Sequence, residues 1–313
     1  MALSTLYTEA TASTERWFAP KVVDQIFNSN PMAMMLKRDA KTIAGGESIE
    51  LPSIYAKGDG EWFREWDTYS AAHIEQIGAG RLDWKLYTVP VVLSHLQLLK
   101  NGESRERRFD LAGQKNLIAA KTAADDLGIS LFSTTDAAGD ATIDSLDRAV
   151  SAGTTVYAGI TRATTGDAAT WAANVDSTTT TLTLAAMQTL WGDCQEGDEH
   201  TTLIAATQVN FNRYWNLLTP IQRLGSELMG KAGFQSLLFN GVPVVVDSHI
   251  AANYMYFFNM NHIQMVAHKL AFYTFEKAVM PTNQWVHIGR YYFVGNVPCY
   301  APRYQGKFSA LTS

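Results

Sequence analysis

Seven histidines and two cysteines are the residues of this 313-residue chain on which metal or nucleophilic chemistry would draw. His73, His95, His200, His249, His262, His268 and His287 are scattered along it, and none forms the H-E-x-x-H pair that sets two imidazoles on one helix face. His262 and His268 have five residues between them, a spacing that suits neither a helix pair nor a strand face with a third ligand nearby. Cys194 and Cys299 cannot make a zinc knuckle or a disulfide framework, and they read as two buried thiols in a reducing compartment. Asp125-Asp126 and Glu196-Gly197-Asp198-Glu199 have the carboxylates of an acid/base pair. Nothing in the sequence gathers them into one pocket, and solvated helix ends are the simpler reading. Phosphate-cradling glycine loops and a G-x-S-x-G elbow are lacking. The expectation is a protein with no catalytic residue, no metal and no cofactor. A mixed α/β hydrolase using Asp193, Glu196 or Asp198 is the catalytic alternative.

Charge narrows the partners. Lys and Arg number 25 against 30 Asp and Glu, a net charge of −5, so no global basic field awaits a nucleic acid. The one basic cluster is Arg105, Arg107 and Arg108, with Lys100, Lys115 and Lys121 nearby and Glu103, Glu106 and Asp110 interleaved. It reads as a helix laced with ion pairs, or as a sequence-blind contact with DNA. No apolar run approaches the roughly 20 residues of a membrane span, and the first residues lack the pattern of a secretory signal.

The elements follow from periodicity. Residues 1–30 read as an arm with a short apolar stripe at Phe18, Val22, Val23, Ile26 and Phe27, which Pro31 ends. Residues 43–99 read as β-structure. Ile49 and Leu51 alternate with Ser48 and Glu50, and a second run holds Leu82, Trp84 and Leu86 on one face. Pro90 sends that second run to a sheet edge or a bulge. Residues 102–132 predict one helix with Phe109, Leu111, Ala112, Leu117, Ile118, Ala120, Ala124, Leu127 and Leu131 on a broad apolar face. At 1.5 Å per residue it would run roughly 45 Å. Residues 133–183 are rich in Thr and Ala, with a short helix at 143–150. Beyond them lie helices at 184–194 and 208–218, and strands at 202–207, 242–246 and 255–258. A hairpin turn falls at Asn240-Gly241, and a β-like aromatic stretch occupies 284–311.

The linker between the two early β runs is far too long for a tight turn, and its content is unusual. Lys57, Asp59, Glu61, Arg64, Glu65 and Asp67 surround Trp62, Phe63 and Trp66. Three large aromatics on a projecting tip either pack back on their own stem or anchor in another chain, where mixed aromatic and charged surfaces belong.

The order of elements resembles the major capsid proteins of tailed bacteriophages, the HK97-fold family. The residues that carry the resemblance open the excursion at Gly45-Gly46-Glu47-Ser48-Ile49-Glu50-Leu51-Pro52 and follow the long helix at 155–162 and 171–175. Phe239-Asn240-Gly241-Val242-Pro243-Val244-Val245-Val246-Asp247 and Tyr256-Phe257-Phe258-Asn259 continue it. The resemblance implies an α+β chain with an N-terminal arm at 1–30 that contacts neighbours through Trp17 and Phe18. It implies a peripheral domain at 31–150 holding the extended loop (43–99) and the spine helix (102–132). An axial domain at 151–272 and a peripheral return at 273–313 complete it. By the same resemblance the chain self-assembles into pentamers and hexamers of an icosahedral shell around double-stranded DNA. The loop tip would contact a neighbour, and Arg105, Arg107 and Arg108 would face the interior. Its partners would be its own copies, a separate scaffolding protein, a portal and a decoration protein, with no membrane; its location would be the virion, after assembly in the host cytoplasm. Only about 30 residues precede the fold, which is why the scaffold is expected to be separate or lost with a processed precursor. Autocatalytic cross-linking through Lys57 has no assignable partner. A nanocompartment (encapsulin) shell shares the fold and stays open as the second reading.

Overall fold

The structure, a computed structural model, describes residues 30–58, 60–68, 75–101, 111–137, 139–153, 155–162, 170–218 and 236–312. Trp17, Phe18, Asp59, Arg105, Arg107 and Arg108 lie outside the described residues.

The described chain opens with helix α1 (Pro31–Arg38). The arm helix that Pro31 is expected to end lies outside the described residues; Pro31 itself starts a helix. It occupies the first helical position, where a missing N–H costs nothing, and the Asn30 side chain accepts from the Ala33 amide at 2.9 Å. After β1 (Lys41–Ile43), strands β2 (Ile49–Ile54) and β3 (Ile77–Leu82) pair antiparallel as an isolated ribbon, from Ile49 opposite Leu82 to Ile54 opposite Ile77. The partner of the first β run is therefore 77–82 and not the 82–93 run. The chain breaks step at Asp83-Trp84, where the Trp84 indole donates to the Gly46 carbonyl at 2.9 Å. Strand β4 (Lys85–Ser94) then joins another sheet with its phase reversed: Leu86 is exposed, while Lys85, Val91 and Leu93 are buried.

Helix α2 (His95–Asn101) follows where strand was expected. Helix α3 (Leu111–Leu131) lies within the predicted long helix, and its 21 described residues run about 32 Å. Its buried stripe is Ala119, Ala123, Leu127 and Leu131 at strict four-residue spacing. Leu117 and Ile118, expected on the inner face, are exposed. Helix α4 (Leu146–Ala149) is capped by the Ser145 hydroxyl, which accepts from the Arg148 amide. Strands β5 (Val156–Tyr157), β6 (Ile160–Thr161) and β7 (Asn174–Asp176), helix α5 (Leu184–Asp193), strand β8 (Leu203–Ala206) and helix α6 (Gln208–Leu217) come next. Thr183 and Thr207 supply the caps of the two helices. Strands β9 (Ser236–Phe239) and β10 (Val242–Val246) turn at Asn240-Gly241, both with positive φ as that hairpin turn requires. The chain closes with β11 (Met255–Phe258), β12 (Val266–His268), β13 (Thr274–Val279), β14 (Val286–Asn296) and β15 (Gly306–Phe308).

Two sheets result. In the first, β14 is the axis: β4 pairs along its whole length on one edge, while β13 and β12 share the other, and β1 extends β12 in parallel. Pro90 thus sits on an edge strand, where its missing N–H breaks no ladder. The second sheet has the order β7-β15-β11-β8-β10-β9. Strands β13 and β14 lie in the first sheet and β15 in the second.

Strands β8 and β11 are buried along both faces and explain how two cores form. Ile204, Ala206, Met255 and Phe257 point one way, onto Leu190 and Trp191 of α5 and Phe211 and Tyr214 of α6. Leu203, Ala205, Tyr256 and Phe258 point the other way, into a core shared with Leu36 of α1, Leu127 and Leu131 of α3 and Leu51 of the ribbon. This second core joins the two sheets.

Candidate assembly interface

The ribbon is anchored only at its base. Ile49, Leu51 and Leu82 are buried in the shared core, and the Arg81 amide donates to the Ala158 carbonyl at 2.7 Å. Five residues outward the environment inverts: the facing pair Ile54 and Ile77 is 75% and 72% exposed. At the tip Trp62 is 104% exposed, Trp66 90% and Phe63 62%. Lys57, Glu61, Arg64, Glu65 and Asp67 are exposed with them. Of the two readings of the tip, packing on its own stem fails for the two tryptophans. The tip is nevertheless shaped. The Arg64 amide donates to the Asp67 carboxylate at 2.8 Å, and the Asp67 amide returns to the Arg64 carbonyl at 3.0 Å.

A second exposed apolar area lies at the far end of the first sheet from the ribbon base. Leu96 and Leu99 of α2, Val279, Met280 and Trp285 surface there. His95 and His287 meet at 2.9 Å between ring nitrogens, and the Trp285 ring lies 4.6 Å from that of His95.

Polar chemistry is concentrated at the joint between the sheets, where it holds structure. Arg162 is 1% exposed, and its guanidinium donates to the carbonyls of Trp171, Arg148 and Ala149 at 2.8, 2.9 and 2.6 Å and to the Thr155 hydroxyl at 2.9 Å. It thereby satisfies carbonyls at the C-terminus of α4 that have no helical partner. Burial brings its pKa down to about 10, so it stays charged at neutral pH. The Lys307 ammonium gives one proton each to the Asp147 carboxylate (2.6 Å), the Asp147 carbonyl (3.1 Å) and the Ser151 hydroxyl (3.2 Å). Tyr256 donates to the same carboxylate at 2.7 Å. An ammonium with all three protons placed is a tie between β15 and α4, not a nucleophile. Asn296 bridges Asp144 and the Asp83 carbonyl at 2.7 and 3.0 Å.

The candidate catalytic acids are dispersed. Asp125 and Asp126 are not solvated helix ends. They lie inside α3, where Asp125 meets His249 at 2.9 Å and Asp126 accepts from Tyr87 at 2.5 Å. Glu196 pairs with Arg303 at 2.8 Å on the surface, and Glu199 accepts from Asn259 at 2.6 Å with His262 3.1 Å away. Asp193, Glu196 and Asp198 are all exposed. Cys194 and Cys299 are buried and unpaired, and burial pushes both thiols up to about 12. Among the described residues no three His, Cys, Asp or Glu side chains converge as a metal would require, and no helix is long and apolar enough to cross a membrane.

Sequence reasoning found the tip because three aromatics among charges stand out locally. It missed Asp147, Lys307 and His249, which meet partners distant in sequence, and Arg162, whose nearby partners are mostly backbone carbonyls that no residue type marks; only the Asp247-Ser248-His249 spacing hinted at one of these contacts.

No family model and no curated relative matches the sequence. Solved structures do match. Over 98% of this chain and 100% of the other, the chain superimposes on a protein of the Cyanophage A-1(L) capsid asymmetric unit with a TM-score of 0.71 at 15% identity. A Mycobacterium phage Ogopogo chain gives 0.63 at 11% identity over 97% and 99%. The holo-SrpI encapsulin complex of Synechococcus elongatus PCC 7942 gives 0.59 at 6% identity over 99% and 96%. The fold is the α+β, HK97-like one.

Proposed function

We propose that this chain is the major capsid subunit of a tailed-bacteriophage particle, a structural protein and not an enzyme. It self-assembles into pentamers and hexamers of an icosahedral shell enclosing double-stranded DNA. The observation that carries the reading is the end-to-end match to capsid chains, at a TM-score of 0.71 with both chains covered almost completely. The exposed tryptophans at the end of a core-anchored ribbon support it, since they lack a burial partner that a neighbouring copy would supply. In this reading the tip residues Lys57, Asp59, Glu61, Trp62, Phe63, Arg64, Glu65, Trp66 and Asp67 contact a neighbouring subunit, aided by Trp17 and Phe18 of the arm. Residues 31–150 and 273–313 form the peripheral domain, and 151–272 the axial one. Arg105, Arg107 and Arg108 face packaged DNA without reading its sequence. A separate scaffolding protein, a portal and a decoration protein are the further partners, and the particle is built in the host cytoplasm to become the virion.

Electron microscopy and light scattering of the purified chain test this. Closed shells of uniform diameter are expected, formed alone or with a scaffold. A species that stays monomeric at all concentrations and with scaffold present refutes it. The encapsulin match at 0.59 favours a second reading as a protein-cargo compartment. Particles purified from their natural source containing an enzyme instead of DNA would establish that one.

A further inference from the structure

Besides the apolar core they share, a buried polar contact ties helix α3 to the second sheet. His249, whose side chain is 5% exposed, follows β10 and stands between two carboxylates. Its Nδ1 lies 2.9 Å from Asp247 Oδ1, and its Nε2 lies 2.9 Å from Asp125 Oδ1 on α3. A carboxylate only accepts, so both ring nitrogens must donate, and only the imidazolium has two N–H groups. A neutral ring would aim a lone pair at one of the two oxygens. Asp247 adds a second constraint. Its side chain is 1% exposed, its Oδ1 takes the His249 amide and ring, and its Oδ2 has no hydrogen-bond partner. Removing the ring proton would leave that buried carboxylate uncompensated.

The surroundings fix the geometry. Gly128 of α3 packs against the imidazole so closely that a Cβ there would lie 2.8 Å from Nδ1. Asn30, the neutral polar neighbour from the cap of α1, donates to the Ala124 carbonyl at 3.1 Å. Lys121 precedes Asp125 by one turn on the same helix, and the adjacent Asp126 turns away to Tyr87.

We infer that His249 is a proton-controlled clasp: charged, it binds helix α3 to the end of β10, and its deprotonation releases this tie and loosens the helix on the core it shares with the second sheet. The inference concerns the folded subunit and does not rest on the shell reading. The two hydrogen-bonded carboxylates, Asp247 foremost, hold the imidazole above its ordinary value of 6.5. Because the folded-state value is raised, the contribution is complete below about 6.5. It is lost as pH rises through the folded-state value.

Exchange of the imidazole Cε1 hydrogen, followed by mass spectrometry, reads the midpoint of each histidine in the full-length protein in whatever assembly state it adopts. The expected midpoint for His249 is above about 6.5. In Asp125→Asn, whose amide can accept from the cation or donate to the neutral ring, the midpoint falls. Backbone amides of residues 118–131, corrected for intrinsic exchange, lose protection about tenfold or more as wild-type pH rises through the midpoint. They show no such loss in Asp125→Asn. A wild-type midpoint at or below about 6.5 overturns the clasp, and so does an α3 protection that ignores the titration. Both readings are made on the wild type, so a variant that fails to fold leaves the test intact.

Discussion

Replacing Trp62 and Trp66 together with Ala separates contact between subunits from stability within one. In the single subunit both side chains are in water, at 104% and 90% exposure, so their loss removes almost no packing. The expected change in subunit stability is within about 0.5 kcal/mol, as for other surface substitutions. In a contact, each indole would remove on the order of 150–250 Å² from water. At about 25 cal/mol per Å² this is roughly 4–6 kcal/mol. Ordering of side chains and desolvation offset more than half of it, leaving about 2 kcal/mol per ring, in the range of interface hot spots. Two rings make about 4 kcal/mol per contact, a weakening of several hundredfold to a thousandfold at 1.4 kcal/mol per decade. Light scattering against concentration measures the threshold for particle formation, and urea denaturation of unassembled subunits measures the fold. The expected result is a threshold raised at least tenfold with an unchanged urea midpoint. An unchanged threshold refutes the interface argument. A subunit destabilised by more than about 1 kcal/mol shows instead that the rings pack on their own stem.

Three further outcomes follow from the joint and the cores. Arg162→Met leaves the carbonyls of Arg148, Ala149 and Trp171 buried without their donor; at about 1–3 kcal/mol each the urea midpoint should fall by the equivalent of at least 3 kcal/mol. A midpoint lowered by less than about 1 kcal/mol refutes that role. Gly128→Ala should destabilise although Ala favours helix by about 1 kcal/mol, because the new methyl would clash with the Asn30 amide and lie 2.8 Å from the His249 ring; a gain in thermal midpoint would show that this packing yields. Cys194 and Cys299, both raised to about 12 by burial, should resist thiol reagents at pH 8 in the native protein and react once it is unfolded; rapid native labelling of either would contradict their burial.

The second sheet was legible in the sequence because its signals are local. Continuous apolar runs mark β8 and β11, Thr183 and Thr207 cap the two helices, and Asn240-Gly241 supplies the positive φ of a tight turn. The ribbon was half legible. Strand β2 alternates cleanly, but its partner reads Ile77-Gly78-Ala79-Gly80-Arg81-Leu82, a sequence of low strand propensity. Its glycines answer to close approach: a Cβ at Gly80 would stand 2.9 Å from Ala158, and one at Gly78 would stand 3.2 Å from the Tyr55 ring. Those neighbours become visible only in three dimensions. The clean alternation from Leu82 to Leu86 concealed the step at Asp83-Trp84 where the chain changes sheets. The buried charges at the joint were illegible for a related reason. Asp147 and Lys307 are 160 residues apart, and Asp125 and His249 are 124 apart. Identities of 6% to 15% with the matching structures fit the same division, since a fold held by pattern tolerates exchange of its individual residues.

The gradient along the ribbon bears on how one chain fits unlike neighbours. A two-stranded ribbon is marginal in water unless something covers it. Here the shared core covers Ile49, Leu51 and Leu82 at the base, while the outer pair Ile54 and Ile77 and the two tryptophans beyond are exposed. The base therefore fixes where the ribbon starts, and the subunit's own packing leaves the direction of its outer half only weakly determined. Whatever surface buries Trp62 and Trp66 also sets that direction. Neighbours in slightly different poses can thus be met by bending the ribbon rather than by deforming either sheet. The cost of ordering the tip is reduced beforehand, because the reciprocal bonds between Arg64 and Asp67 already close its turn. In the proposed shell role, a preformed tip on a compliant stem would give a contact that is specific in its local shape and tolerant in its angle, as a shell made from one kind of subunit requires.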